Sequence, residues 1–193
     1  PYFFPYIGYC QLMSPVDEFV VYDNIKYVKK GWINRNRILA DGRDVYITLP
    51  LRSGSDSLDV KERLLSDTWQ NERKKLLNRI VENYRKAPNF KSAFPLIEEC
   101  IMFEVYNLFN FIYNSLMKTR EYLDIKGKVT ISSSVKIDHS LKSEEKVIAI
   151  CRHQSASTYI NPIGGLELYS KHNFMEYQLN LEFLKVDGVQ YKQ

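Results

Sequence analysis

Pro1-Tyr2-Phe3-Phe4-Pro5-Tyr6-Ile7-Gly8-Tyr9 runs directly into Cys10-Gln11-Leu12-Met13 and then Asp17-Glu18-Phe19-Val20-Val21-Tyr22-Asp23. The first nine residues hold two prolines, one glycine and five aromatics. Proline fixes φ and removes a donor, and glycine tolerates backbone geometries that other residues resist, so the opening reads as a shaped loop. After Gly8, the segment Tyr9–Met13 reads as a short helix. The β-branched and aromatic run Phe19–Tyr22 reads as a buried strand ending at Asp23. Two roles are open to the loop, a rigid turn whose aromatics plug a core or a ligand-facing turn between strand and helix.

Outward from this block, Ile33–Leu39 and Val45–Leu51 flank Ala40-Asp41-Gly42-Arg43, whose Asp-Gly pair predicts a β-hairpin. Alternation along its first strand sets Asn34 and Asn36 on one face and Arg35 and Arg37 on the other. The polar run Ser53–Ser57 reads as a loop suited to a lid. Helical spacing of Trp69, Leu76, Leu77, Ile80 and Tyr84 predicts a helix within Ser66–Lys86, ended by Ala87-Pro88. A second helical region, Phe94–Leu123, is apolar on most sides and predicts the most buried helix. Further elements are a strand at Val129–Ile131 leading to Ser132-Ser133-Ser134, a helix at Glu144–His153, a strand at Thr158–Ile160, a turn at Gly164-Gly165 and a strand at Leu181–Leu184. Strands separated by helices imply an α/β domain with a largely parallel sheet, carrying a β-hairpin and a helical insertion around residues 66–123. A length of 193 residues suits one domain spanning 1–193, with a core that needs no staples.

Hydrophobic residues make up 45% and charged residues 26%, ordinary globular usage that excludes disorder as the default. A net charge of +4 leans only mildly toward anionic partners, and no nucleic acid is expected from it. Cys10, Cys100 and Cys151 are far apart and form no CxxC, so neither a disulfide framework nor a zinc site is indicated, and a reduced cytoplasmic setting is expected. No apolar run approaches a membrane span. His139, His153 and His172 lack metal-ligand spacing, and no P-loop, nucleophile elbow or dinucleotide fingerprint is present. No cofactor is named by the sequence.

The chemistry-bearing residues cluster early. Lys26, Lys29, Lys30, Arg35 and Arg37 alternate with Tyr27 and Trp32; arginine forks bind phosphates or carboxylates, and aromatic faces stack on a base or sugar ring. A solvated basic hairpin is the plainer alternative. Asn34 and Asn36 offer donors and acceptors at fixed spacing, as a site that reads hydroxyls or amides requires. Candidate substrate contacts are therefore Tyr6, Gly8, Tyr9, Lys26, Tyr27, Trp32, Asn34, Arg35 and Asn36. Asp23, at the carboxyl end of an apolar strand, is the candidate catalytic base, with a turn or helix cap as its other role.

The opening block, the stretch Lys26-Tyr27-Val28-Lys29-Lys30-Gly31-Trp32-Ile33-Asn34-Arg35-Asn36-Arg37-Ile38, Ile47-Thr48-Leu49-Pro50-Leu51, Tyr159-Ile160-Asn161-Pro162-Ile163-Gly164-Gly165 and the closing Phe183-Leu184 and Tyr191-Lys192-Gln193 together resemble the WbqC-like proteins of bacterial surface-polysaccharide gene clusters. In that family an apolar segment and a Gln usually precede the first Pro, so the resemblance implies a first strand before Pro1. It also implies a Rossmann-like sheet and a transferase that modifies an activated amino sugar in O-antigen synthesis, glycyl or other aminoacyl transfer being one form. Its partners would be a nucleotide-sugar or an aminoacyl donor. A Pro-x-x-Gly-Tyr segment at Pro5–Tyr9 sits where nucleotidylyltransferases keep Pro-x-x-x-Gly-His, but Tyr9 replaces the phosphate-holding histidine, so nucleotidyl transfer is not inherited. A non-catalytic accessory protein holding a nucleotide-sugar or a partner is the alternative. Single-stranded nucleic-acid binding on the basic-aromatic hairpin is disfavoured by the low net charge.

Overall fold

Helices and strands alternate through residues 1–186, the part of the chain that the computed structural model describes; Tyr191-Lys192-Gln193 lie outside it. In order they are α1 (Ile7–Met13), β1 (Glu18–Val21), β2 (Arg35–Ala40), β3 (Arg43–Thr48), α2 (Trp69–Tyr84), α3 (Phe90–Met102), α4 (Leu108–Tyr122), β4 (Lys128–Ile131), α5 (Ser143–His153), β5 (Thr158–Pro162), α6 (Lys171–Glu176) and β6 (Asn180–Leu184). Short 3-10 turns at Val60–Glu62, Ser132–Ser134 and Ile163–Leu168 complete the order. The chain is an α/β protein with short parallel sheets, β1 pairing with β4 and β5 with β6 in parallel while β2 and β3 pair antiparallel. The described strands thus form three separate two-stranded pairs and not one continuous Rossmann-like sheet.

Two compact units share the chain, and the opening stretch is divided between them: Pro1–Tyr6 joins Asp23–Ile125, while Ile7–Tyr22 joins the described residues from Lys126 onward. In the first unit the Asp-Gly turn closes the hairpin as its sequence dictates. Asp41 (φ 51°) and Gly42 (φ 73°) both take positive φ, the requirement of a tight turn whose twist matches the strands, and Ala40 pairs with Arg43 across it. The hairpin is tied to α2 by the Leu39 N–H, which donates to the Tyr84 hydroxyl at 2.6 Å. The core beneath is aromatic: Phe111, fully buried on α4, meets Phe3 with ring centroids 6.1 Å apart and Trp69 edge-on at 5.5 Å.

The region 94–123, expected as one helical stretch, is two helices. Phe103–Asn107 turns its backbone sideways, the Tyr106 carbonyl accepting from the Leu65 N–H at 2.7 Å. The buried Arg73 guanidinium donates to the Met102 carbonyl at 3.2 Å, taking up an orphan acceptor at the end of α3. Asn107 then starts α4 by accepting from the Asn110 N–H at 3.0 Å, an N-cap that the apolar flanks obscured in the sequence. Fully or nearly fully buried Leu108, Phe109, Phe111, Ile112 and Leu116 make α4 the helix around which this unit packs.

In the second unit β1 and β4 run in register from Glu18 beside Lys128 to Val21 beside Ile131. Gly127 (φ 91°) leads into β4 where an added Cβ would lie 2.7 Å from the Val16 carbonyl oxygen, so no other residue fits there. The amphipathic helix α5 sets Val147, Ile148 and Cys151 against Phe174, Leu179 and Leu181, with Tyr159 and Tyr169 packed on that cluster.

Candidate functional site

Left-handed backbone occurs at two non-glycine residues beside the hairpin, Phe4 (φ 45°) and Lys30 (φ 62°), and both aim their carbonyls at β2 side chains. The Asn36 amide donates to the Phe3 carbonyl at 3.0 Å and also to the Phe4 carbonyl. The Arg35 guanidinium donates from Nη2 to the Lys30 carbonyl. One strand therefore clamps the opening loop through Asn36 and the Lys30 turn through Arg35. The loop's own proline-fixed shape and the buried Phe3, whose N–H donates to the Ile33 carbonyl at 3.0 Å, leave the chain little freedom there.

Between loop and hairpin lies a cleft of about 350 Å³, walled by Tyr2, Phe3, Pro5, Tyr6, Trp32, Arg35, Asn36 and Arg37. Tyr6 is 63% exposed and Trp32 42%, whereas aromatics that serve only packing are hidden, as Phe111 is. Arg35 lies 4.5 Å from the Tyr46 ring centre and 5.6 Å from that of Trp32, and Arg37 lies 5.0 Å and 5.5 Å from Trp32 and Tyr46. The two rings are 6.1 Å apart, so guanidinium and indole planes interleave on one face of the hairpin. Arg37 donates to Asp44 at 2.8 Å, an exposed pair that holds the Asp44 carboxyl below its ordinary range. Arg35 makes no ion pair among the described residues, and its Nε is buried with no hydrogen-bond partner.

The sequence-derived candidates fall into three groups. Tyr6, Trp32, Arg35 and Asn36 come together in the cleft wall. Lys26, Tyr27, Asn34 and Asp23 belong to the same unit but not to that wall. Asn34 is buried, accepting from the Tyr27 hydroxyl at 2.8 Å and donating to the Leu49 carbonyl at 2.8 Å, so its amide braces the hairpin. Burial raises the Tyr27 phenol above its ordinary value, opposed by Arg63, which lies 4.8 Å from the ring centre. Asp23 is 4% exposed, and its carbonyl accepts from the Lys61 N–H at 3.0 Å. Gly8 and Tyr9 sit on α1 in the second unit, where the Tyr9 ring meets Phe19 edge-on at 5.4 Å.

Other sequence features have structural partners. The Ser53–Ser57 loop is held by Arg63, whose Nη2 donates to the Ser55 carbonyl at 2.7 Å, and by the Lys29–Asp56 pair at 2.6 Å. Ser134 donates back to the Ile131 carbonyl at 2.7 Å in a turn closing β4. All three cysteines are free and buried. Among the described residues no group of three or more His, Cys, Asp or Glu side chains is placed to hold a metal, and no helix is long and apolar enough to cross a membrane.

Tyr2, Phe3, Pro5 and Arg37 in the wall, and Tyr46 behind it, were not among the candidates. Tyr46 was within reach of the sequence. Once Asp41-Gly42 fixes the turn, counting back pairs Arg37 with Tyr46, so an exposed tyrosine directly faces an arginine across the strands.

Uncharacterized protein Rv1507c of Mycobacterium tuberculosis is 25% identical to the chain over 195 residues, covering 99% of this chain and 82% of that protein. No solved structure matches this chain. Over all of residues 1–193 the chain matches the WbqC-like protein family, and it belongs to that family.

Proposed function

We propose that this protein modifies an activated amino sugar in surface-polysaccharide synthesis by transfer of an aminoacyl group such as glycyl, in the cytoplasm, and that the hairpin cleft holds the anionic part of its substrate. The pathway follows from the family resemblance. The observation that supports the site is Arg35, a guanidinium without a counter-charge among the described residues, fixed by a backbone carbonyl and covered by Tyr46 at the edge of a cleft lined with exposed aromatics. A planar fork so held is suited to an oxyanion, and exposed ring faces are suited to a sugar or base.

The test is a thermal-shift screen with nucleotide-sugars and aminoacyl donors, since a ligand that binds the folded state raises its melting temperature by mass action. A stabilising nucleotide-sugar whose effect is lost in Arg35→Lys supports the site; equal stabilisation of both proteins removes it.

A second reading, an accessory protein that binds such a sugar without reacting on it, is favoured by the composition of the wall. Among the described residues it includes no carboxylate, histidine, cysteine, serine or threonine, and the buried Asp23 is not part of it. General acid–base transfer needs a titratable group within hydrogen-bond reach of the reacting atoms, and the wall offers the phenols of Tyr2 and Tyr6 in place of the more usual histidine or carboxylate. Mass spectrometry of donor and acceptor incubated with the protein separates the two, a new aminoacyl-sugar mass supporting transfer and unchanged reactants supporting binding alone.

A further inference from the structure

We infer that the cleft recognises a sugar ring bearing a single carboxylate, and that the substrate is therefore an acidic sugar held by its acid group and ring face, with the diphosphate of any nucleotide lying elsewhere. This rests on the proposal that the cleft holds the substrate.

The count of free cations carries the inference. Two arginines reach the cleft, but Arg37 already faces Asp44 at 2.8 Å. Lys29 is likewise paired with Asp56 at 2.6 Å and is not part of the wall. Of the two, Arg35 is the one left without a carboxylate among the described residues. A diphosphate linker carries a negative charge on each phosphate and calls for two such partners, whereas a carboxylate calls for one planar fork. The Arg35 Nε is buried, so what the guanidinium can offer a ligand is its terminal nitrogens. Its plane is set before any ligand arrives, by the Lys30 carbonyl on one side and the Tyr46 ring 4.5 Å away.

The rest of the wall fits a sugar ring. Tyr6 and Trp32 are exposed in the wall, Trp32 with Arg35 and Arg37 over its ring, and an aromatic face left open attracts the weakly positive C–H face of a pyranose as it attracts a cation. Asn36 is not free to read hydroxyls with its amide, because that group is spent on the Phe3 and Phe4 carbonyls. Selectivity must then come from charge and ring shape. A volume of about 350 Å³ lies near the small end of ligand pockets, giving room for a sugar ring but little for a base and diphosphate besides.

The experiment is a titration of the intact chain with D-galacturonate, D-galactose, UDP and UDP-galacturonate, followed by calorimetry and by tryptophan fluorescence, in which exposed Trp32 responds and buried Trp69 does not. Galacturonate should bind roughly 10- to 100-fold more tightly than galactose, the range expected of one charge-assisted hydrogen-bonded pair. Arg35→Gln should bring the two sugars to within about 3-fold of each other, and Trp32→Ala should weaken both while preserving their ratio. Should Arg35→Gln fail to fold, the wild-type ratio together with Trp32→Ala decides. Equal binding of galacturonate and galactose by a protein that binds UDP or UDP-galacturonate overturns the acidic-sugar inference and leaves the proposed function standing. Galacturonate binding that Arg35→Gln does not alter overturns it too. No binding by any of the four probes overturns both.

Discussion

Two sets of aromatic rings, one in each unit, serve opposite ends. In the first, Trp32, Tyr46 and Tyr6 face solvent, and Trp32 and Tyr46 interleave with Arg35 and Arg37. In the second, Tyr159 lies flat on Phe174 at 5.6 Å and 10°, and Tyr169 meets each of them edge-on at 5.7 and 6.1 Å. The first set has cations for neighbours and the second has Val147, Ile148 and Leu181. What separates a site from a core here is the company the rings keep: ring faces turned to guanidinium groups and water remain available, while faces turned to aliphatic side chains are used up in packing.

The largest effect that would break this contrast is on stability. Phe174 is fully buried, and its truncation leaves a cavity among stacked rings. Phe174→Ala is expected to cost about 3–5 kcal/mol in denaturant unfolding. Trp32→Ala, at an exposed position, should cost about 1 kcal/mol or less while abolishing ligand-induced fluorescence change. Comparable losses in the two variants would mean that Trp32 is core and the cleft a packing defect.

Alkaline pH sharpens the contrast through ionisable groups. Burial pushes the Cys151 thiol from an ordinary 9.0 up to about 11, and burial, aided by neighbouring Tyr169 and Cys151, raises the Tyr22 and Tyr159 phenols in the same unit. A folded-state value above the unfolded one means the native thiol keeps a proton that the unfolded chain releases. Its stabilising contribution is then complete below about pH 9 and lost as pH rises through about 11. The Cys151 share is on the order of 2–3 kcal/mol at most. Cys100, likewise raised to about 11 by burial and by Glu99, adds a parallel loss in the first unit. Hydrogen exchange across this window should show the second unit, with its two phenols besides the thiol, losing protection more steeply. A flat profile there would show that those phenols are solvated.

Much of the fold was legible because its signals are local. Asp41-Gly42 demanded a tight turn and got one; the runs Phe19–Tyr22 and Val129–Ile131 supply the parallel pair β1 and β4; α5 matches the stretch Glu144–His153 to within one residue. The break at Phe103–Asn107 was not legible, since it depends on Arg73 and Leu65 reaching it from distant sequence. The same holds for the site. Arg35, Asn36, Trp32 and Tyr6 stood out as polar and aromatic residues on a constrained loop and strand. Asn34 carried the same signal, yet the Tyr27 hydroxyl and the Leu49 carbonyl claim it, and no local pattern distinguishes an amide that meets a ligand from one that meets its own backbone. The division of Pro1–Tyr6 from Ile7–Tyr22 likewise arises from contacts far along the chain.

Asn36 separates loop positioning from charge. Asn36→Ala removes the donor to the Phe3 and Phe4 carbonyls and should cost about 1 kcal/mol, the usual net worth of a hydrogen bond, with faster exchange and proteolysis confined to residues 1–6. Unchanged protection there would mean that the prolines and the buried Phe3 hold the loop unaided.

The smallest effect concerns Asp44, and it bears directly on how many charges the cleft can bind. Its carboxylate is held below the ordinary range by the hydrogen bond from Arg37 and by that residue's charge, but the pair is solvent-exposed on both sides, where screening and side-chain entropy leave little net stability. Asp44→Asn should leave the melting temperature unchanged within error. It should nonetheless alter recognition, because Arg37, no longer neutralised, becomes a second free cation in the wall. Diphosphate ligands should then gain more than carboxylate ligands, and that gain should shrink as salt is raised toward 1 M, where the screening length is about 3 Å. If Asp44→Asn instead strengthens galacturonate and UDP equally, the Arg37–Asp44 pair does not set the charge count, and the distinction between a one-anion cleft and a general anion patch collapses.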